Sequence, residues 1–294
     1  MCNASTVPTP PTVRDHGDVP RCRYGTVDDF QIERFLDGIG AFAGAGANVI
    51  VQLANRPVGY GVVESTVESG RADVHPWKRL RTTLTYIAVA MLGTEADRDI
   101  YREAVGGVHR RVRSTPGASV KYNAFDPELQ KWVAVCLCWG VLDIHERLYG
   151  PLDRDTKEVF VQYGARFGTG LQMRPDMWPA DLDEFERYFD AGLATMRIDD
   201  VVAEYLRKLI GLRNVPRPRW LANFHRFAVI GLLPAPMRAQ LYLPWTDAQE
   251  RRHRLLFRCI GVVYGRLPAR ARLFPYTTVL WDMRRRHRLG RPLV

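Results

Sequence analysis

The 294-residue chain has only five cysteines, Cys2, Cys22, Cys136, Cys138 and Cys259, an odd and scattered set. They form neither a paired Cys-x-x-Cys zinc pattern nor a compact disulfide framework, so a reducing cytoplasm is the expected setting. Long apolar runs are missing too. No segment holds the roughly 20 predominantly apolar residues that span a bilayer, and the N-terminus lacks a basic patch followed by an apolar run of about 7–15 residues. Both absences point to a soluble protein. No alternating apolar stretch is long enough for a sheet. His-Glu-x-x-His, His-x-x-x-His and Gly-x-Ser-x-Gly are all absent, which removes local support for a zinc or serine hydrolase. Lysine is rare, with Lys78, Lys121, Lys131, Lys157 and Lys208 the five among 42 basic residues. Arginine supplies the rest and favours fixed pairing with carboxylates or phosphates over simple solvation. The net charge of +10 comes without a helix-turn-helix or aromatic stacking platform, so nucleic-acid binding is not expected.

What the chain does have is helical periodicity. Residues 1–26, with Pro8, Pro10, Pro11 and Pro20 among small polar residues, read as a mobile arm. Residues 27–294 read as one all-α domain without a long polar linker or an internal repeat. Gly38-Ile39-Gly40 is not a dinucleotide fingerprint, because Gly44 falls one place late and no strand precedes it. Small residues over Ile39–Ala54 instead allow helices to pack closely. Pro76 opens a helix that Gly93 stops, and Asp126-Pro127 opens another at an N-cap and first helical position. Leu129–Leu142 is apolar nearly all round and predicts a buried central helix. Cys136 and Cys138 lie about 200° apart on it and cannot share one ion, so they read as core packing. Asp155-Thr156-Lys157-Glu158 reads as an acidic capping box. Further helices are expected at 182–195, 199–211, 220–232, 247–263 and 275–288. Arg284-Arg285-Arg286-His287-Arg288 makes a basic tail suited to a solvated helix end or to peripheral contact with anionic lipid.

His109 stands out. From Asp97 to Arg113 the spacing puts Tyr101, Val105, Val108 and Val112 on one helix face, with His109 at its edge. Gly106 and Gly107 precede it, and each glycine within a helix costs roughly 1 kcal/mol relative to Ala. Something flat or bulky approaching there would explain them. A core histidine hydrogen-bonded to a neighbour, with the glycines admitting another helix, is the other reading of the same residues.

Three ordered strings carry a wider likeness: Pro76-Trp77-Lys78-Arg79-Leu80-Arg81-Thr82-Thr83-Leu84, Val108-His109-Arg110-Arg111-Val112-Arg113, and Ala124-Phe125-Asp126-Pro127-Glu128-Leu129 leading into Trp132-Val133. In order and spacing they resemble the latex-clearing protein (rubber oxygenase) and fungal membrane-bound mycophenolic-acid oxygenase superfamily. The likeness continues through Leu232-Leu233-Pro234 and Met237-Arg238. It implies an all-α protein with a globin-like core around haem b, and oxidation by dioxygen. By resemblance His109 is the proximal iron ligand, while Arg79 and Thr83 match an Arg-x-x-x-Thr pair beside the haem. Four residues apart, they share a helix face, and the guanidinium suits a propionate or dioxygen. Arg113 is a further candidate cofactor contact. A catalytic acid is implied upstream, where Glu64 or Glu68 falls, and Glu64 is carried as the candidate.

Two positions depart from the family pattern. Thr82 stands where some rubber oxygenases have a lysine able to reach the distal iron position, and Ala134 stands where many relatives have a histidine after the Trp-Val pair. The expected function is therefore a haem b-dependent oxidoreductase that activates dioxygen, or peroxide, to oxidise a largely apolar or unsaturated small molecule. A non-catalytic haem-binding or helical interaction protein on the same fold is the alternative that Ala134 keeps open.

Overall fold

The computed structural model describes residues 30–64, 67, 71–213 and 215–294. The proline-bearing arm and Glu68 lie outside them. The described residues form fourteen α-helices and no strand, apart from one isolated bridge between Arg113 and Asn123. In chain order the first seven are α1 (Gly38–Leu53), α2 (Arg56–Val63), α3 (Pro76–Leu92), α4 (Glu95–His109), α5 (Pro127–Tyr149), α6 (Arg154–Gly164) and α7 (Arg166–Thr169). Then come α8 (Leu182–Thr195), α9 (Asp200–Ile210), α10 (Arg219–Leu232), α11 (Ala235–Gln240), α12 (Asp247–Tyr264), α13 (Ala269–Arg272) and α14 (Tyr276–Arg288). The all-α expectation holds.

Helix α5 is the central post, and its composition explains why. Trp132, Val135, Cys136, Leu137 and Cys138 are all buried on it, because α1, α6, α7, α8 and α12 pack around it on different sides. Both cysteines are core packing, as expected. The small residues of α1 serve the contact with α5: a Cβ on Gly44 would lie 3.0 Å from Ile144, and one on Gly40 would overlap the same side chain. Trp132 ties the two helices further by donating from its indole nitrogen to the Gln52 carbonyl at 3.1 Å. Asp126 caps α5 through the Glu128 N–H at 2.9 Å, with Pro127 in the first turn.

Two helix ends differ from the sequence reading for local reasons. The cap of α6 is Asp153 rather than Asp155: its carboxylate accepts both the backbone N–H and the hydroxyl of buried Thr156, at 2.8 and 2.9 Å. Helix α4 ends at His109 instead of running to Arg113. Val112 N–H turns back to the His109 carbonyl at 2.9 Å, and Arg113 then pairs with Asn123, so the chain leaves the helical path just past the histidine.

Helix α14 lies along α3 and is pinned to the start of α4. Thr94 and Asp97 form a reciprocal capping box, and Arg284 reaches the mostly buried Asp97 carboxylate through Nε at 3.0 Å and Nη2 at 2.6 Å. Arg284 foremost, with Thr94, holds the Asp97 pKa down to about 2. A carboxylate depressed in the folded state stabilises above its unfolded pKa, and that contribution is lost as pH falls through the folded value. Arg284→Ala is expected to lower unfolding free energy at pH 7 by about 1.5–3 kcal/mol. It should also flatten the loss of stability between about pH 5 and 2. Denaturant melts at pH 7 and pH 3 check this, and equal losses at both would refute the ionic contribution.

Candidate active site

A cavity opens between α2, α3, α4, α5 and the loop carrying Tyr122 and Asn123, with Phe167 of α7 and Val294 completing its wall. Its cavity volume is about 260 Å³, within about 1490 Å³ of non-atom space that includes open solvent at the mouth. Small-molecule sites commonly occupy roughly 300–1,000 Å³. The wall is largely aliphatic, with Val58, Val62, Val105, Val108, Val133 and Leu137 among its members. Each comes from one face of its helix, so the period that buries α4 and α5 also lines the hollow.

Most polar groups in the wall are satisfied by the protein itself. Gln130 donates to the Ala124 carbonyl at 2.7 Å and accepts from the Gln172 N–H at 2.9 Å. Tyr101 donates to the Thr82 carbonyl at 3.0 Å, and Tyr86 donates to the Phe167 carbonyl. The Thr82 hydroxyl folds back onto the Arg79 carbonyl at 3.1 Å. These bonds lock α3 to α4 and α7. No hydrogen-bond or ion-pair partner among the described residues engages the side chains of His109, Arg79, Thr83 or the Tyr122 hydroxyl, and all four residues line the cavity.

His109 sits on the last turn of α4. Its Nδ1 is buried without a partner, which contradicts the reading of a satisfied core histidine. Burial first, and the neighbouring charge of Arg79 second, push its pKa down to about 4. At neutral pH it is an uncharged imidazole with a lone pair to give. The glycines before it do not admit another helix: a Cβ on buried Gly106 would meet nothing within 4 Å, and one on Gly107 only the end of Arg110. Neither glycine is packed against a neighbouring helix.

Arg79 faces the same hollow from α3 with no carboxylate to pair with among the described residues. Burial lowers its pKa, opposed weakly by Tyr205 and Tyr101. A desolvated guanidinium without an anion is costly, and a ligand carboxylate would remove that cost. Thr83 follows one turn later on the same face. The sequence pair is therefore brought together with His109 around one cavity.

The remaining candidates lie off the lining. Glu64 is exposed at the C-cap of α2, although its charge adds to burial in raising the Tyr122 pKa. Arg113 is exposed, in the bridge with Asn123 of the cavity wall. Ala134 is buried against Gly168 rather than facing the hollow. His225 is turned away as well, with its Nδ1 3.1 Å from the Ile210 carbonyl. Tyr122, Gln52 and Gln130 went unnoticed in the sequence. Only contacts between distant segments bring them to the site, and no periodic signal marks them.

Comparison with known proteins agrees with this geometry. Residues 32–262 match the model of the family described as "ER-bound oxygenase mpaB/B'/Rubber oxygenase, catalytic domain", and the chain belongs to that family. An oxygenase-type enzyme is the class this membership defines. Two mycobacterial relatives, Uncharacterized protein Mb2261 of Mycobacterium bovis and Uncharacterized protein Rv2237 of Mycobacterium tuberculosis, are each 47% identical over 250 residues. The alignment spans 84% of this chain and 98% of either relative. No solved structure matches the chain. Among the described residues no helix is long and apolar enough to cross a membrane.

Proposed function

We propose that the protein is a haem b-dependent oxygenase acting on a largely apolar or unsaturated small molecule. The observation that carries this reading is the neutral imidazole of His109, without a hydrogen-bond partner, sharing a largely apolar cavity with an unpaired guanidinium. Among the described residues no three His, Cys, Asp or Glu side chains gather around one point, so a metal centre at His109 would take its other donors from a macrocycle. The residues present fit that group. His109 would bind the iron, and Arg79 would pair with a propionate.

Haem, when bound, supplies the activation of dioxygen. The chain supplies everything else. The valine and leucine wall excludes water and holds an apolar substrate by burial rather than by directed bonds. Thr83 and Tyr122 offer the cavity two hydroxyl donors that no protein acceptor uses. Burial keeps the Tyr122 phenol protonated, so it can orient an oxygen atom by donating to it.

The test of Arg79 rests on two opposite signs. Arg79→Ala is expected to leave the thermal stability of the haem-free protein unchanged or raised, since it removes a desolvated charge without a partner. The same substitution should weaken haem binding by about tenfold or more, or about 1.4 kcal/mol. Melting of the haem-free protein and haem titration followed at the porphyrin absorption band measure the two. A destabilised apoprotein with unchanged haem affinity would make Arg79 a structural residue. Purified wild-type protein without a porphyrin band, and without one after reconstitution, would overturn the whole proposal.

A further inference from the structure

The positive charge is not spread along the chain. Residues 251–294 hold twelve Arg and a single acid, Asp282, a formal +11 against +10 for the whole protein, so residues 1–250 sum to −1. No acid occurs from Arg251 to Trp281. Three of these arginines are spent inside the fold: Arg272 lies 3.6 Å from buried Asp37, Arg284 binds Asp97, and Arg286 binds Asp282 at 2.7 Å. Those of α12 are not. Arg251, Arg252, Arg254 and Arg258 are exposed, and no ion pair engages them among the described residues.

The same helix face carries bare hydrocarbon. Leu255 is 65% exposed, Val262 57% and Val263 66%, and Cys259 lies exposed between them. At 100° per residue, Arg254, Arg258 and Arg251 flank one side of the Leu255–Val262 stripe and Arg252 the other. His253, Phe257 and Gly261 are buried on the opposite face, so the outward orientation is fixed by packing. Beyond α12 the exposed Leu267 and Phe274 continue the apolar surface, with Arg266 and Arg270 beside them.

We propose that the outward face of α12, continued through Leu267 and Phe274, is a docking surface for an anionic lipid bilayer. Charge complementarity and exposed hydrocarbon select that occupant together. A polyphosphate such as a nucleic acid needs the arginines alone and gains nothing from Leu255, Val262 and Val263. A bilayer uses both, because the side chains enter the acyl boundary while guanidinium groups stay at the headgroups. The inference does not depend on haem, and its readout does not use activity.

Cys259 provides a probe at the centre of the face. Cys136 and Cys138 are buried with thiol pKa values pushed up by desolvation, so in a Cys2→Ser/Cys22→Ser protein an environment-sensitive fluorophore reports on Cys259 alone. Vesicles with phosphatidylglycerol in phosphatidylcholine should shift its emission to the blue and carry the protein in flotation. Pure phosphatidylcholine should do neither, and high salt should reverse both effects. Arg254→Glu/Arg258→Glu should reduce flotation at least tenfold, and Leu255→Ser/Val262→Ser, which leaves the charge intact, should reduce it several-fold. All four positions are exposed, and an unchanged melting temperature verifies folding. Binding to vesicles without a blue shift, or without loss in the serine variant, would overturn the proposal. So would binding to heparin or duplex DNA as tight as to vesicles and equally indifferent to the serine changes, which would mark a polyanion or acidic-partner site instead.

Discussion

His109→Ala is expected to lower haem affinity by at least about tenfold, or about 1.4 kcal/mol, and to change the spectrum of whatever haem is retained. The argument is one of elimination as much as of position. Among the described residues His109 is the only histidine in the cavity wall, and no lysine, cysteine or methionine lines it. If His109 holds the iron, the wall has no substitute for it. Because Nδ1 has no partner to lose and Gly106 already borders open space, the substitution breaks no protein hydrogen bond, and the apoprotein should melt close to wild type. That separates a ligand role from a structural one. Imidazole added to the variant should restore part of the original spectrum by occupying the vacated volume. His225→Ala serves as the control and should bind haem normally. If it loses haem while His109→Ala keeps an unaltered spectrum, the ligand assignment is wrong.

The helices were legible because their signals are local. Pro76, Asp126-Pro127 and the all-round apolar run after Leu129 each act within a turn or two of themselves, and α3 and α5 begin where these residues say. Where two local signals compete the sequence misleads: Asp153 and Asp155 both stand ready to cap, and the choice falls to Asp153 because Thr156 is buried and needs its carboxylate. His109, Arg79 and Thr83 could be named in advance through ordered strings and helical phase. Their meeting around one hollow could not, since α3 and α4 are fastened by Tyr101 reaching the Thr82 carbonyl. Tyr122 was invisible for the same reason. Glu64 belongs to a segment where wall and solvent lie close together, Val62 lining the cavity and Glu64 exposed, so order along the chain alone does not fix its place.

Carbon monoxide added to the reduced, haem-loaded protein is expected to bind promptly and to shift the spectrum without substrate present. Three observations lead to this. Thr82, at the place where relatives can present a lysine, is short, and its hydroxyl is committed to the Arg79 carbonyl at 3.1 Å. His225 and His253 hold backbone carbonyls at 3.1 Å through Nδ1 and Nε2 respectively. His145, packed against Phe35 and Tyr149 near Asp37, lies outside the cavity wall. Each of these groups would have to break the contacts that hold it before it could bind iron in the cavity. Neutral hydroxyls are poor iron ligands, so Thr83 and Tyr122 can hydrogen-bond within the cavity but do not close the site. Introducing the missing amine should reverse the behaviour: Thr82→Lys is expected to give a six-coordinate, low-spin resting spectrum and slow carbon monoxide entry to the rate at which the lysine detaches. A wild-type protein that is already low-spin, with ligand entry limited by release of a protein group, would show that another side chain closes over the iron.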